Sequence, residues 1–440
     1  MASEVAAGDP LAAASALRSR GVPPALAAAA LTQVDLRRRA AAKFGPDAEL
    51  MFFTRAGLEQ ATRSVVSRRR AARLAAAGVR TLADLGCGLG SDAIAAARAG
   101  IEVYAVDADP VTAETAAANV AALGLDQMIK VECADATTVA VERYDAVFAD
   151  PARRRAGRGR VFDPRSYSPP WDFIAGLAER VPQTVLKLAP GIDHELLPPG
   201  AEGEWVSVGG DLVEAAFWCG PLAEAPRRAT LLPAKGEPGR GKGEQNGEWN
   251  GAPGERRGEQ RGEWNGAPGQ GADGKGGEGN AGEGAGEKSG YGVREDGGGR
   301  ENASGGAELT GSGTRKAPVG PVGAFLYDPD PAVVRSHLVA EFAETVNGRL
   351  ADPDIAYVYT DEPHVTPYGR RLEVTDVLGF SLKRVRALLR ERGVGRLEIR
   401  KRGSALEPEQ LRRDLRLSGP ESASMVLTRV MGAPTVLLCR

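Results

Sequence analysis

The chain has 440 residues, 42% hydrophobic and 26% charged, with 56 basic against 58 acidic side chains. Such a length is a prior of two or three domains, and the composition excludes a collagen, a coiled coil and a wholly disordered chain. The near-neutral total conceals a segregation, with net charges of +6 over residues 1–75, −8 over 76–232, −2 over 233–318 and +2 over 319–440. An acidic middle between basic flanks points to polyanion contact outside a small-molecule site. No apolar run approaches the roughly 18 residues of a membrane helix, and the opening MASEVAAGDP lacks the layout of a signal peptide. Cys87, Cys133, Cys219 and Cys439 show no CxxC spacing, which argues against disulfides and zinc. The expectation is a soluble cytoplasmic protein with no metal and no membrane partner.

In chain order, Ala-rich runs around residues 11–18 and 25–43, and a further stretch from 46 to about 77, read as helices, because Ala is the best helix former. Residues 1–75 are therefore a helical region. From Thr81 the pattern becomes short apolar runs alternating with Ala-rich stretches: TLADLG, a helix at 91–99, EVYAVD, a helix at 110–123, then IKVECAD, YDAVFAD and TVLKLAP. Near-continuous apolar strands alternating with helices argue for a parallel doubly wound sheet over residues 76–232. Two strands at 205–208 and 212–218, split by Gly209, Gly210 and Asp211, read as an antiparallel hairpin closing its edge. Residues 236–313 hold 28 glycines and repeat GEWNGAPG at 247–254 and 262–269. That composition cannot bury enough apolar surface to offset chain entropy, so 233–318 reads as a disordered insertion. Beyond it, helices at 331–345, 381–392 and 409–417 and strands at 396–401, 425–430 and 435–438 read as a separate α+β domain over 319–440.

Chemistry gathers at the ends of the four expected strands. Asp84-Leu85-Gly86-Cys87-Gly88-Leu89-Gly90 is a glycine-rich turn opening onto a helix, where backbone approaches a ligand closely. A dinucleotide fingerprint needs glycine three residues after Gly88, where Ser91 stands, so NAD is disfavoured. No GKS or GKT sequence supports a phosphate-cradling loop. Asp107 closes the second strand, where a carboxylate accepts the ribose hydroxyls of an adenosine-bearing cofactor. Asp135 follows the third strand, placed to meet an adenine amino group. Asp150-Pro151 follows the fourth, and each of these residues alone is unremarkable.

Together these motifs resemble those of class I S-adenosylmethionine-dependent methyltransferases, over roughly residues 76–232. The resemblance implies a seven-stranded Rossmann-like sheet with S-adenosyl-L-methionine as cofactor. Asp84, Gly86, Cys87, Gly88 and Gly90 would face its methionine and ribose parts, and Ala108 and Ala136 would flank the adenine beside Asp107 and Asp135. The whole chain is similar to bacterial methyltransferases with a C-terminal THUMP-like domain, through FTRAGLEQAT (53–62), ADPARR (149–154), FLYDPDPAVVRS (325–336) and GVGRLEIRKRG (393–403). That likeness implies an N-terminal helical cap, a methyltransferase sheet, and a THUMP-like α+β domain docking RNA, tRNA or rRNA. The other readings are a small-molecule or protein methyltransferase, and a non-catalytic RNA-binding protein retaining the cofactor fold.

Asp150 and Pro151 are the catalytic candidates, with Asp150 accepting a hydrogen bond from a target amine or acting as general base. Base N-methyltransferases usually continue with Pro and an aromatic residue, whereas Ala152 and Arg153 stand here. Arg153, Arg154 and Arg155 open a run of five arginines in eight residues that suits phosphate, although a solvated loop has the same composition. Tyr167, Pro169, Pro170 and Trp171 are either a substitute stacking surface or core. Gln60 and Thr62, in the helix leading to the first strand, either cover the cofactor or face solvent. In the tail, Lys383, Arg384, Arg386 and Arg390 lie opposite an apolar helix stripe, and Arg400, Lys401 and Arg402 end the next strand. His194, His337 and His364 are far apart in sequence and read as surface or capping residues.

Overall fold

The computed structural model describes residues 10–153, 167–234, 299–301 and 305–440. Apolar residues with few turn formers give strands β1 (Thr81–Leu85), β2 (Glu102–Asp107), β3 (Ile129–Cys133) and β4 (Ala146–Ala149). A two-residue ribbon, β5 (Ala152–Arg153) with β6 (Tyr167–Ser168), precedes β7 (Thr184–Leu188) and the hairpin of β8 (Glu202–Val208) and β9 (Asp211–Trp218). Next come β10 (Arg227–Leu232), β11 (Gly299–Glu301) and β12 (Ala307–Gly311). One sheet takes them in the order β11-β12-β10-β8-β9-β7-β4-β1-β2-β3. β1 pairs in parallel with β2 and β4, β2 with β3, and β4 with β7, while β9 runs antiparallel to both β7 and β8.

Two expectations fail here. The hairpin does not close the sheet edge, because β10 pairs with β8 in parallel and β12 and β11 extend beyond it. The sheet therefore has ten strands where seven were expected. The glycine-rich span also ends earlier than composition implies, since Ala307–Gly311 is a strand whose Leu309 is fully buried. A short ordinary segment at the end of a glycine-rich stretch is masked by averaging over the whole. Residues 235–298 and 302–304, including both copies of the repeat, lie outside the described residues.

Alternation along the strands divides two cores across the sheet. Ala83, Leu85, Val147, Ala149, Leu186, Leu188, Ala215 and Phe217 belong to one, and Leu82, Val103, Phe148, Val185, Ala216 and Trp218 to the other. The second face is covered by helices Pro24–Phe44, Ser64–Ala76 and Ser91–Arg98. The first is covered by helix Trp171–Arg180 and by residues from beyond the glycine-rich span: Tyr327, Ala332, Val333, Phe342 and Ala343. Part of residues 319–368 thus packs into the core of the first sheet. Between β7 and β8 the chain forms only a loop with a short turn at His194–Leu196, so the helices Pro331–Arg335 and Val339–Thr345 cover that face instead. The single helix expected at 331–345 is broken by His337, whose φ is +62°. Met1–Arg240 and Asp296–Arg440 form one compact unit.

A second sheet adds β13 (Phe325–Pro329), β14 (Arg349–Leu350), β15 (Val358–Thr360), β16 (Gly369–Gly379), β17 (Val394–Lys401), β18 (Glu421–Val430) and β19 (Ala433–Cys439). Their order is β14-β15-β13-β16-β19-β18-β17. Helices Leu382–Glu391 and Pro408–Leu415 lay Val385, Leu389, Leu411 and Leu415 on one side of it. Among the described residues no helix is long and apolar enough to cross a membrane.

Candidate active site at the carboxyl edge of the parallel strands

The β1 turn folds tightly because its glycines take left-handed φ, +88° at Gly86, +57° at Gly88 and +84° at Gly90. Gly86 has a second reason to lack a side chain, since a Cβ there would stand 2.7 Å from the Asp150 carbonyl oxygen. Gly86 and Cys87 both donate their amides to the Val106 carbonyl, at 2.9 and 3.0 Å, tying the turn to β2. The Gly88 amide donates to Asp107 Oδ2 at 3.1 Å, and the Asp109 amide to Asp107 Oδ1 at 3.0 Å. Half-buried Asp107 is raised above the usual carboxylate range by burial, against the pull of those two amides. The sheet thus brings Gly86, Gly88, Asp107 and Asp150 to one edge.

The remaining expected residues divide. Ala108 is exposed beside Asp107, and Ala136 is buried. Exposed Asp135 spends Oδ1 on the amide and hydroxyl of Thr137, both at 2.8 Å, which lowers its pKa through the backbone bond first. Only Oδ2 is left for a ligand. Cys87 is buried, and burial followed by the nearby Asp84 and Asp107 pushes its thiol up, so it packs rather than reacts. Asp84 is fully buried, and neither carboxyl oxygen has a hydrogen-bond partner among the described residues. Burial, then Asp92 and Asp150, raise it well above the normal range.

Beneath the edge lies a charged layer that was not read from the sequence. Asp84, Asp150, Lys187 and Glu214 come from or just follow β1, β4, β7 and β9, alternating with Leu82, Phe148, Val185 and Ala216 on one face. Lys187 Nζ donates to Asp150 Oδ2 at 2.6 Å and to Thr62 Oγ1 at 2.9 Å. Arg70 pairs with Asp92 and Glu214 and lies 4.5 Å over the Phe148 ring. Burial opposes the charge on Arg70, yet Asp92 and Glu214 hold its pKa above normal. For Lys187 burial is likewise outweighed by Asp150, Glu214 and Asp92. The available signal was a lone charge inside each apolar run: TLADL, TVLKL and LVEAAFW.

Part of the N-terminal charge is spent inside the protein. Arg69 pairs with Glu204 and Glu308, Arg73 with Glu202, all at 2.7 Å, and Arg228 joins Glu202 and Glu308. These arginines neutralise the acidic sheet internally rather than facing a polyanion. Thr62 lies in the link between helices Arg55–Gln60 and Ser64–Ala76, not within a helix, and is buried, whereas Gln60 is exposed. Tyr167 is buried, and Trp171 packs partly buried against the same core, its ring 6.1 Å from Tyr167, so Tyr167 offers no stacking surface. Arg154 and Arg155 lie outside the described residues, and of Arg153 only the backbone strand is described. Two histidines are gathered after all: His194 stacks on His337 at 3.9 Å and on Trp205 at 4.5 Å.

A family model for a methyltransferase domain matches residues 82–153, which hold every one of these strand ends. A relative from Mycobacterium tuberculosis, known from two strains as an uncharacterised S-adenosylmethionine-dependent methyltransferase, is 31% identical over 421 residues, covering 92% of this chain and 94% of its own. The chain belongs to the S-adenosylmethionine-dependent methyltransferases. A THUMP domain-like model matches residues 369–440, giving this methyltransferase its C-terminal module, and a model for a domain of unknown function matches residues 1–40. The solved structure of a putative methyltransferase from Porphyromonas gingivalis W83 aligns with a TM-score of 0.63 at 18% identity, over 95% of this chain and 91% of the other. The fold is therefore that of a methyltransferase along nearly its whole length. S-Adenosyl-L-methionine is the cofactor of this family, and the edge suits it. The close approach at Gly86 leaves room for no side chain, and the half-buried carboxylate of Asp107 suits a ligand with hydroxyl groups.

Proposed function

We propose that this methyltransferase modifies RNA, a tRNA or an rRNA, in the cytoplasm. Its THUMP-like module docks the nucleic acid, and the edge of the first sheet carries out the transfer. The observation that carries this reading is the helix Leu382–Glu391. Val385 and Leu389 are buried against the second sheet, while Lys383, Arg384 and Arg390 are exposed and make no ion pair among the described residues. Arg386 leaves that face, donating to the Asp414 carbonyl. Arg400 and Arg402 are held by Asp328, and Lys401 by Glu407, so these three do not add to the patch. An unpaired cationic helix face suits a phosphate backbone.

In this reading Asp84, Gly86, Cys87, Gly88, Gly90, Asp107, Ala108, Asp135 and Ala136 form the cofactor site. S-Adenosylmethionine, when bound, brings a methyl already activated by its sulfonium. The protein's own task is then alignment. Asp150, one-third exposed beside the β1 turn, meets the acceptor group and takes a hydrogen bond or proton from it, with buried Pro151 holding the backbone after it. Arg153, Arg154 and Arg155 follow directly and would contact substrate phosphates.

The test is transfer of radiolabelled methyl into total bacterial RNA, with protein and small-metabolite fractions alongside. Label in RNA is expected, and label confined to another fraction would overturn the reading. Changing Lys383, Arg384 and Arg390 to Glu should weaken RNA binding and reduce its log–log salt slope by about 0.7–0.9 per lost phosphate contact. Cofactor affinity should be unchanged.

A further inference from the structure

The side chain of Lys187 is 13% exposed and sits on a strand whose neighbours on the same face, Val185 and Ala216, are fully buried. A buried ammonium costs several kcal/mol in desolvation unless it is paired and hydrogen-bonded. An apolar residue would serve packing at least as well. The lysine instead reaches two groups from different parts of the chain, Asp150 after β4 and Thr62 in the N-terminal link. We propose that Lys187 is a positioning residue of the reaction, joining the Asp150 carboxylate to the Thr62 hydroxyl and so fixing that carboxylate against the N-terminal segment.

The proposal rests on the reading of Asp150 as the group that meets the acceptor. Asp150 is bound through Oδ2 alone, and Oδ1 has no partner among the described residues. One oxygen is thus anchored inward and the other left for substrate. The Thr62 end has its own support. Lys43 Nζ donates to the carbonyls of Leu58, Glu59 and Ala61 at 2.6, 2.8 and 3.2 Å, and Ser64 Oγ to the Lys43 carbonyl at 2.6 Å. That segment stays in place whether or not Lys187 is present. Lys187 therefore transmits a fixed position to Asp150, and its loss should free the carboxylate without unfolding the cap.

The experiment compares the full-length enzyme with Lys187→Met, Lys187→Arg and Thr62→Val. Lys187→Met should leave the dissociation constant for S-adenosylmethionine, measured by calorimetry, within about threefold. Its kcat for RNA methylation should fall about tenfold or more, as expected for a misplaced reacting group. Lys187→Arg should restore part of kcat, and Thr62→Val should lower it by about threefold, one hydrogen bond. An unchanged kcat in folded Lys187→Met, or a loss with no rescue by arginine, would overturn the proposal.

A substrate-independent readout keeps the two readings apart. In the free enzyme with 15N-labelled lysine, the Lys187 ammonium should give a protected 1H–15N signal that shifts or vanishes in Asp150→Asn and in Thr62→Val. If the wild-type enzyme labels no RNA, the RNA reading fails while this signal still decides the Lys187 bridge. A signal indifferent to both substitutions overturns the bridge.

Discussion

Replacing Phe342 with alanine should destabilise the methyltransferase sheet itself, although Phe342 lies beyond the glycine-rich span. The ring is fully buried, with Tyr327 and Tyr368 edge-on at 6.2 Å each, in the same core as Leu186, Trp205 and Phe217. Truncating a core phenylalanine costs about 3–5 kcal/mol, since the cavity left behind collapses only partly. The two edge-to-face contacts add about 0.5–1.5 kcal/mol each if they are not recovered. The assay is urea unfolding followed in parallel by far-UV circular dichroism, tryptophan fluorescence and binding of S-adenosylmethionine. Trp205 and Trp218 lie in the first sheet and Trp171 packs on its core, so with Trp249 and Trp264 replaced by Phe, fluorescence reports on that sheet. All three signals should move together to lower urea. If cofactor binding and fluorescence kept their midpoint while part of the dichroism signal was lost, the tail would be an independent domain, and the shared core would be refuted.

Other outcomes follow from single contacts. Gly86→Ala should abolish cofactor binding in a folded protein, because its Cβ would meet the Asp150 carbonyl at 2.7 Å from a left-handed backbone; calorimetry checks this against circular dichroism. Asp107→Ala should remove most cofactor affinity while leaving RNA binding intact, and unchanged affinity would exclude Asp107 from the ribose contact. His194 is held down to about 4, by burial first and then by His337, Arg227 and Arg335. The unfolded chain takes up that proton near the ordinary value, so stability present above about pH 6.5 should decline by about 1–2 kcal/mol, after discounting for screening, as pH falls towards 4. His194→Phe keeps a ring in the stack and should flatten this decline in denaturant titrations. Deleting Gly241–Glu295 should leave cofactor affinity unchanged and Tm within about 2 °C, checked by calorimetry and thermal unfolding.

The strand ends were legible because their chemistry is local. A glycine-rich turn, an acid closing the next strand and Asp150-Pro151 each announce themselves within a few residues, and strand–helix alternation sets them in order along one edge. The identity of β1 to β4, their parallel pairing and the residues at their carboxyl ends were therefore determined by the sequence alone. The glycine-rich span was plain from composition, apart from the strands β11 and β12 towards its end.

Partners distant in the chain were decided only by the fold. Lys187 reaches Thr62 across 125 positions, Arg70 reaches Glu214 across 144, and Arg69 reaches Glu308 across 239. Nothing local distinguishes an arginine that will be buried against a glutamate from one that will face RNA. Segment charge therefore counted Arg69, Arg70 and Arg73 towards a polyanion surface, where the structure pairs them internally. The same reason hid the shared core. Helices Pro331–Arg335 and Val339–Thr345 have ordinary apolar faces, and only the sheet's uncovered surface between β7 and β8 determines what those faces meet. Sequence periodicity specifies that a face must be buried; the partner that buries it is a property of the tertiary structure.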